Sequence, residues 1–264
     1  MALVFCSFSS GSSGNCYLVR SERAAILVDA GISGRKILES LENAEVNPDE
    51  VKAVLITHEH HDHVRSIRTI DKRLPQIHTY ANNGTWQSIE ADIEEKKRMT
   101  FKTGEEFFIE DIKVRSFPLS HDATEPVGFS FYQDGKQISI LTDTGFLSRD
   151  IYDEIKEADL LVLEANHDVD MLKIGRYPLF LKQRILGEKG HLSNVDAADA
   201  ICRLLAYNEK RRHILLAHLS RENNFPEMAY QTIKNRLEEN NYYIGENVRL
   251  NIIARDEMSA LYTL

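Results

Sequence analysis

The sequence predicts an α/β fold: two sheets packed face to face with helices outside, built as one domain over residues 1–264. Three observations point there. Each half of the chain opens with strand-like runs and continues into helices. No internal repeat, low-complexity tract or proline-rich linker separates the halves. Every chemically suggestive residue falls at the end of a predicted strand. Such elements bury their apolar faces in layers, and side chains at strand ends would gather on one edge, where rigid elements can hold a site.

Leu3–Phe8, Cys16–Val19 and Ala25–Val28 read as strands. Between the first two, Ser9-Ser10-Gly11-Ser12-Ser13-Gly14 reads as a tight turn of the domain, where glycine permits positive φ. In Gly34–Asn43, Ile37, Leu38 and Leu41 share one face, which predicts a helix. Ala53–Ile56 is a buried strand, after which Asp62 stands at the N-cap position of a helix carrying Val64, Ile67, Ile70 and Leu74. Phe107–Glu110, Lys113–Phe117, Val127–Tyr132 and Gln137–Leu141 predict a β-meander, with Asp134-Gly135 as a hairpin turn. Helix and strand then alternate through Asp150–Glu157, Leu160–Leu163, Asn194–Ala206, Ile214–Ala217 and Pro226–Asn240. Val248–Ile252 and Ser259–Tyr262 form a closing pair.

Composition narrows the class. A hydrophobic fraction of 42% over 264 residues supports a sizeable core. The net charge of −9 argues against a protein that simply coats nucleic acid, though not against an enzyme whose metals supply local positive charge. Cys6, Cys16 and Cys202 have no paired spacing and read as small core residues of a reducing compartment. No basic leader with an apolar stretch opens the chain, and no run is long enough to span a bilayer, so no membrane insertion and a cytoplasmic location are expected.

The chemistry concentrates in His58-Glu59-His60-His61-Asp62-His63, just after the apolar run Val54-Leu55-Ile56-Thr57. Imidazole nitrogens with carboxylate oxygens suit zinc, iron or manganese, not the all-oxygen shells of calcium and magnesium. In an extended stretch His58 and His60 point the same way. The following turn aims Asp62 and His63 at a neighbouring point, so one loop can serve two ions.

This order of ligands resembles the signature of the metallo-β-lactamase-fold superfamily of hydrolases. Further landmarks follow in the family's sequence: Leu27-Val28-Asp29-Ala30-Gly31, Pro118-Leu119-Ser120-His121, Leu141-Thr142-Asp143-Thr144-Gly145 and Leu216-Ala217-His218-Leu219-Ser220. The resemblance implies a four-layer αββα sandwich with two mixed sheets flanked by helices. It also implies two divalent ions per chain, zinc or manganese, with iron a further option. His58, His60 and His121 would hold one ion and Asp62, His63 and His218 the other, with Asp143 bridging. Asp62 is thereby placed among the catalytic residues. Two ions about 3.5–4 Å apart can hold a bridging hydroxide and stabilise attacking and leaving oxygens alike. Asp29 is expected to orient ligands by hydrogen bonds and not to ligate. His61 is expected to be packed or solvated, and His78 and His213 to be surface or edge residues. His167 remains open between a structural and a functional role.

His191 is the informative addition. Gly190-His191-Leu192-Ser193-Asn194 opens a helix, where backbone N–H groups suit phosphate and a histidine can protonate a leaving oxygen. Together with His218-Leu219-Ser220-Arg221-Glu222-Asn223, this motif resembles the nucleic-acid phosphodiesterase branch. The chain has no room for a protruding tRNA arm or an inserted nuclease domain between Asp143 and His218. Its compact form, its serine- and glycine-rich turn and Leu163-Glu164-Ala165-Asn166-His167-Asp168 resemble the YycJ (WalJ, VicX) family. That family is associated with 5′→3′ DNA exonuclease activity and with a bacterial cell-wall two-component regulon. One feature supports nucleic acid, DNA above all, without the family. From Met171 to Gly190, Lys173, Arg176, Lys182, Arg184 and Lys189 face only Glu188, and Tyr177 and Phe180 lie among them. Basic groups with interleaved aromatics suit single strands, although a solvated helix face is the commoner fate of such runs. The alternatives are a hydrolase of a small phosphodiester or thioester, and a non-catalytic regulator.

Overall fold

Continuous buried runs such as Ala25–Val28 and Leu160–Glu164 mark the strands that form the core. The computed structural model describes residues 2–90 and 92–264. Among them fourteen strands form two mixed sheets flanked by helices, the α/β class that the sequence predicts. The chain divides into two compact units. Unit 1 comprises residues 1–118, 123–136 and 254–264, and unit 2 comprises residues 119–122 and 137–253.

Unit 1 begins with β1 (Val4–Ser9), β2 (Cys16–Arg20) and β3 (Ala25–Val28), which pair antiparallel. Helix α1 (Gly34–Asn43) is capped by Ser33 and buries Ile37 and Leu41. Strand β4 (Val51–Leu55) then runs parallel to β3, with Leu27 beside Val54. The short helices α2 (His61–Val64) and α3 (Ile67–Arg73) follow, then β5 (His78–Asn82), α4 (Asn83–Ser88) and β6 (Arg98–Phe101). β4, β5 and β6 are parallel neighbours. β7 (Glu106–Ile109), β8 (Ile112–Pro118) and β9 (Val127–Gln133) form an antiparallel meander. Phe8, Leu18, Leu27, Ile37, Leu41, Val54, Ile56 and Ile70 belong to one buried cluster beneath these elements.

Unit 2 is built on parallel strands. β10 (Lys136–Leu141) leads to α5 (Arg149–Ile155), β11 (Leu160–Glu164), α6 (Val169–Ile174), α7 (Leu179–Leu186) and α8 (Asn194–Tyr207). β12 (Arg212–Ala217), α9 (Pro226–Glu239) and β13 (Val248–Ile252) complete it. Leu141 lies beside Leu163, Leu163 beside Leu216, and Leu216 beside Ile252. The carboxyl ends of β10, β11 and β12 therefore line up on one edge, the usual place for a site in parallel sheets. A capping box between Ser193 and Asp196 starts α8. The last strand, β14 (Tyr262–Thr263), returns to unit 1 beside β1, giving the order β14-β1-β2-β3-β4-β5-β6 there.

Three sequence expectations need correction. The helix expected after Asp62 is broken at Arg65 and Ser66. Asp62 lies within the first turn of α2, and the N-cap position belongs to His60. Backbone bonds explain the break: Ala30 N–H donates to His63 O, and Ser66 N–H donates to Ala30 O, at 2.7 and 2.8 Å. The chain end of β3 thus holds the loop on both sides of the break. The closing strand covers only Tyr262–Thr263, although Ser259 N–H still reaches Ser7 O. β5, β6 and α4 are further elements, whose mixed polar and apolar residues carry no clear periodicity. No helix among the described residues is long and apolar enough to cross a membrane.

Candidate metal centre

In unit 1 the site is built on the ends of β3 and β4. Asp29 follows β3 in the left-handed region, at φ 62°. For an L residue this costs about 1–2 kcal/mol, and such strain concentrates at functional positions. The turn directs the buried Asp29 carboxylate at the loop after β4. Thr57 N–H donates to Asp29 Oδ1 at 2.9 Å, and the Thr57 hydroxyl reaches Oδ2 at 2.9 Å. His63 Nδ1 lies 2.7 Å from Asp29 Oδ2, and His58 Nδ1 lies 3.0 Å from the Thr57 hydroxyl. Burial pushes the Asp29 carboxyl pKa up, and His63 and Thr57 oppose that shift. The rings of His58 and His60 pack edge to face with centroids 4.6 Å apart. Asp62 Oδ2 lies 3.6 Å from His63 Nε2. His61 is exposed, and Glu59 turns aside to accept from Thr124 N–H at 2.8 Å.

Unit 2 assembles its cluster from four separate stretches. Asp143 and His218 follow β10 and β12, again in the left-handed region at φ 60° and 54°. Glu164 ends β11 and is fully buried. Its Oε1 lies 2.8 Å from His191 Nδ1 and 2.8 Å from His218 Nδ1. Its Oε2 accepts from the backbone N–H groups of Thr144 and Leu192, at 3.0 and 3.1 Å. Asp143 Oδ1 stands 3.4 Å from His218 Nδ1 and 3.6 Å from His191 Nδ1. Asp143, Glu164, His191 and His218 offer donor atoms that all lie within 4.8 Å of one another. His121 joins this group: its Nδ1 faces Gly190 O at 3.2 Å, and its Nε2 lies 3.9 Å from Asp143. Ser120 fixes that stretch, its hydroxyl bonding Glu188 O at 2.8 Å. Gly145 is required beside it, since a Cβ there would lie 2.2 Å from Glu188 O.

The electrostatics follow from Glu164. Burial would raise its pKa, but His191 and His218 overcome this and hold it at about 2. Burial likewise opposes charge on His191. The carboxylate of Glu164, then Asp143 and Asp122, nevertheless push the His191 pKa up to about 9. His218 is raised in the same way, with Asp143 and Glu164 overcoming its burial. His121 is lowered by burial.

Glu164 is the residue that sequence reasoning missed. The signal was an acidic residue closing the buried apolar run Leu160–Leu163, where only a group with dedicated partners is tolerated. His167 is buried, and burial pulls its pKa down to about 4. His78 is exposed, and His213 bonds Asn251 at 2.7 Å. The basic run forms α6, α7 and their flanks. Lys173 and Arg176 are exposed, and Lys182 Nζ donates to Lys173 O at 2.7 Å. Arg184 pairs with Asp122, the residue after His121. α7 buries none of its residues: Leu179 and Phe180 are 70% and 72% exposed, and nearby Ile174 is 85% exposed. The surface is therefore apolar as well as basic.

The donor set fits divalent transition ions. Nδ1 of His58, His63, His121 and His218 each faces a hydroxyl, carboxylate or carbonyl oxygen. Nε2 is then the nitrogen that each can present to an ion, the arrangement typical of metal-binding histidines.

The family model of the beta-lactamase superfamily domain matches residues 24–219. An exodeoxyribonuclease YycJ of Bacillus anthracis is 38% identical over 249 residues, covering 93% of each chain. An exodeoxyribonuclease WalJ of Streptococcus pneumoniae is 38% identical over 247 residues, covering 92% of this chain and 91% of the relative. Among solved structures, the metallo-beta-lactamase fold protein YhfI of Bacillus subtilis superposes with a TM-score of 0.73 over the whole of both chains, at 14% identity.

Proposed function

The chain belongs to the beta-lactamase superfamily and, within it, to the family of the YycJ and WalJ exodeoxyribonucleases, and on that premise we propose that it is a dinuclear metal-dependent phosphodiesterase acting as a 5′→3′ DNA exonuclease. The observation that carries the metal reading is the common anchoring of the histidines through Nδ1. The ligand set that the family resemblance implies is His58, His60, Asp62, His63, His121, His218 and Asp143. Seven nitrogen and oxygen donors exceed what one tetrahedral ion takes. Bound zinc or manganese would activate the nucleophile and stabilise the attacking and leaving oxygens.

The protein's own residues do the rest. His191 is held by Glu164 through Nδ1, so its Nε2 is directed outward as the donor to the scissile phosphate or the leaving oxygen. Its raised pKa keeps it protonated at neutral pH. Asp29 and Glu164 orient ligands. Lys173, Arg176 and Lys182 follow the phosphate backbone, and exposed Phe180 offers a face on which a base can stack. Arg184 shares its charge with Asp122 and binds more weakly.

End-labelled single- and double-stranded DNA and RNA, incubated with Mn²⁺, Zn²⁺ or Mg²⁺, test the reading. Processive loss of DNA from the 5′ end with a transition metal is expected. Hydrolysis of a small phosphodiester or thioester with intact DNA would transfer the site to a small-molecule substrate.

A further inference from the structure

The turn between β1 and β2 takes no part in the scheme above, yet its last residue reaches the proposed ligands. Asn15 is fully buried. Its Oδ1 accepts from Gly11 N–H at 2.8 Å and from the Tyr17 hydroxyl at 3.3 Å. An amide N–H donor can be matched only by an oxygen, so these bonds fix which way the side chain faces. Nδ2 then points towards Gly11 O at 3.2 Å, His63 Nε2 at 3.1 Å and Asp62 Oδ2 at 3.5 Å. The backbone clamps the same residue. Asn15 N–H donates to Asp62 O, and Gly31 N–H donates to Asn15 O, both at 2.8 Å. These three stretches pack main chain to main chain, since a Cβ on Gly31 would lie 1.6 Å from Asp62 O.

Two acceptors compete for one N–H of Asn15. With Nδ1 of His63 committed to Asp29, the ring's other lone pair is the one that Asn15 meets. That lone pair cannot serve an amide and an ion together. The Asp62 carboxylate is within reach of the same nitrogen and gains from a donor whether or not an ion is bound.

We propose that Asn15 is a positioning residue for the ion held by Asp62 and His63: its amide passes from His63 Nε2 to Asp62 Oδ2 as that ion binds, and holds the carboxylate in its ligating orientation. The proposal rests on the ligand assignment under Proposed function. It gives the Ser9–Gly14 turn a purpose, since the turn exists to carry Asn15 to the ligands.

The test is zinc binding to metal-stripped protein, measured by calorimetry against a competing chelator, for wild type, Asn15→Ala and Asn15→Asp. Asn15→Asp retains the acceptor for Gly11 and Tyr17 but replaces the donor with an oxygen facing Asp62. Both variants should bind one zinc as wild type does and the second about 10–100-fold more weakly. Metal-free Asn15→Asp should melt below wild type, since its new oxygen faces Gly11 O as well as Asp62. Wild-type binding of both ions by Asn15→Asp would show that the donor is dispensable and overturn the proposal. Equal weakening of both ions would make Asn15 a turn residue only, and overturn it too. If wild type itself binds fewer than two zinc ions, the two-ion reading fails and takes this proposal with it.

Discussion

Asp29 and Glu164 occupy equivalent places in the two units: each is a fully buried carboxylate at the carboxyl end of a strand, holding histidine Nδ1 atoms. Their pKa values nevertheless move in opposite directions. Asp29 has one histidine and a threonine as partners, and burial wins, so its pKa rises. Glu164 has two histidines and two backbone N–H groups, and these win, holding it at about 2. Partner number thus decides the direction in which the pKa of an equally buried acid moves. Unit 1 uses its buried carboxylate to fix the orientation of His63. Unit 2 also keeps an imidazolium, His191, with a proton to give.

The largest expected effect comes from removing the residue assigned to both ions. Asp143→Ala should bind neither ion and show no turnover above background, as elemental analysis with a DNA hydrolysis assay will report. Loss of one ion alone would mean that Asp143 is no bridge.

His191→Ala should slow hydrolysis by about 100–10,000-fold, the range for a missing general acid, with metal content intact. Asp29→Asn should do the converse and weaken metal binding about 10–100-fold through His63. If His191→Ala instead loses metal, the division between proton donor and ligand anchors collapses.

Glu164→Gln tests the coupling of Glu164 to His191 through pH. In metal-free protein, Glu164 contributes stability present above its ordinary 4.5 and lost as pH falls towards about 2. His191 contributes stability fully present below 6.5 and lost as pH rises through about 9. Melting temperature should therefore decline outside the window from 4.5 to 6.5, and Glu164→Gln should flatten both limbs. An unchanged alkaline limb in the variant would separate His191 from Glu164.

The smallest effects belong to the basic surface. Replacing Lys173, Arg176 or Lys182 should each lower the salt dependence of DNA binding by about one unit of slope. Arg184, already paired with Asp122, should lower it less. A small chromogenic phosphodiester should be hydrolysed as before by all of these variants.

The two units also differ in how far the sequence reveals them. The His58–His63 loop is contiguous, so alternation and turn chemistry expose it directly. Asp143 and His218 are legible only through the family resemblance of the stretches that carry them. Glu164 was hidden: its partners, Thr144, Leu192, His191 and His218, come from three other stretches and meet only in the folded sheet. The break between α2 and α3 was hidden for the same reason, since it depends on backbone bonds to Ala30. The basic run offers Phe180 as a stacking face, but nothing in it marks Ile174 and Leu179 as exposed too.

Whether two ions act together in one phosphodiesterase is tested by titrating Mn²⁺ or Zn²⁺ into metal-stripped protein while following bound metal and release of nucleotides from 5′-end-labelled DNA. Hydrolysis should set in only as the second equivalent binds. Full activity at one equivalent, or none at two, would contradict this joint action.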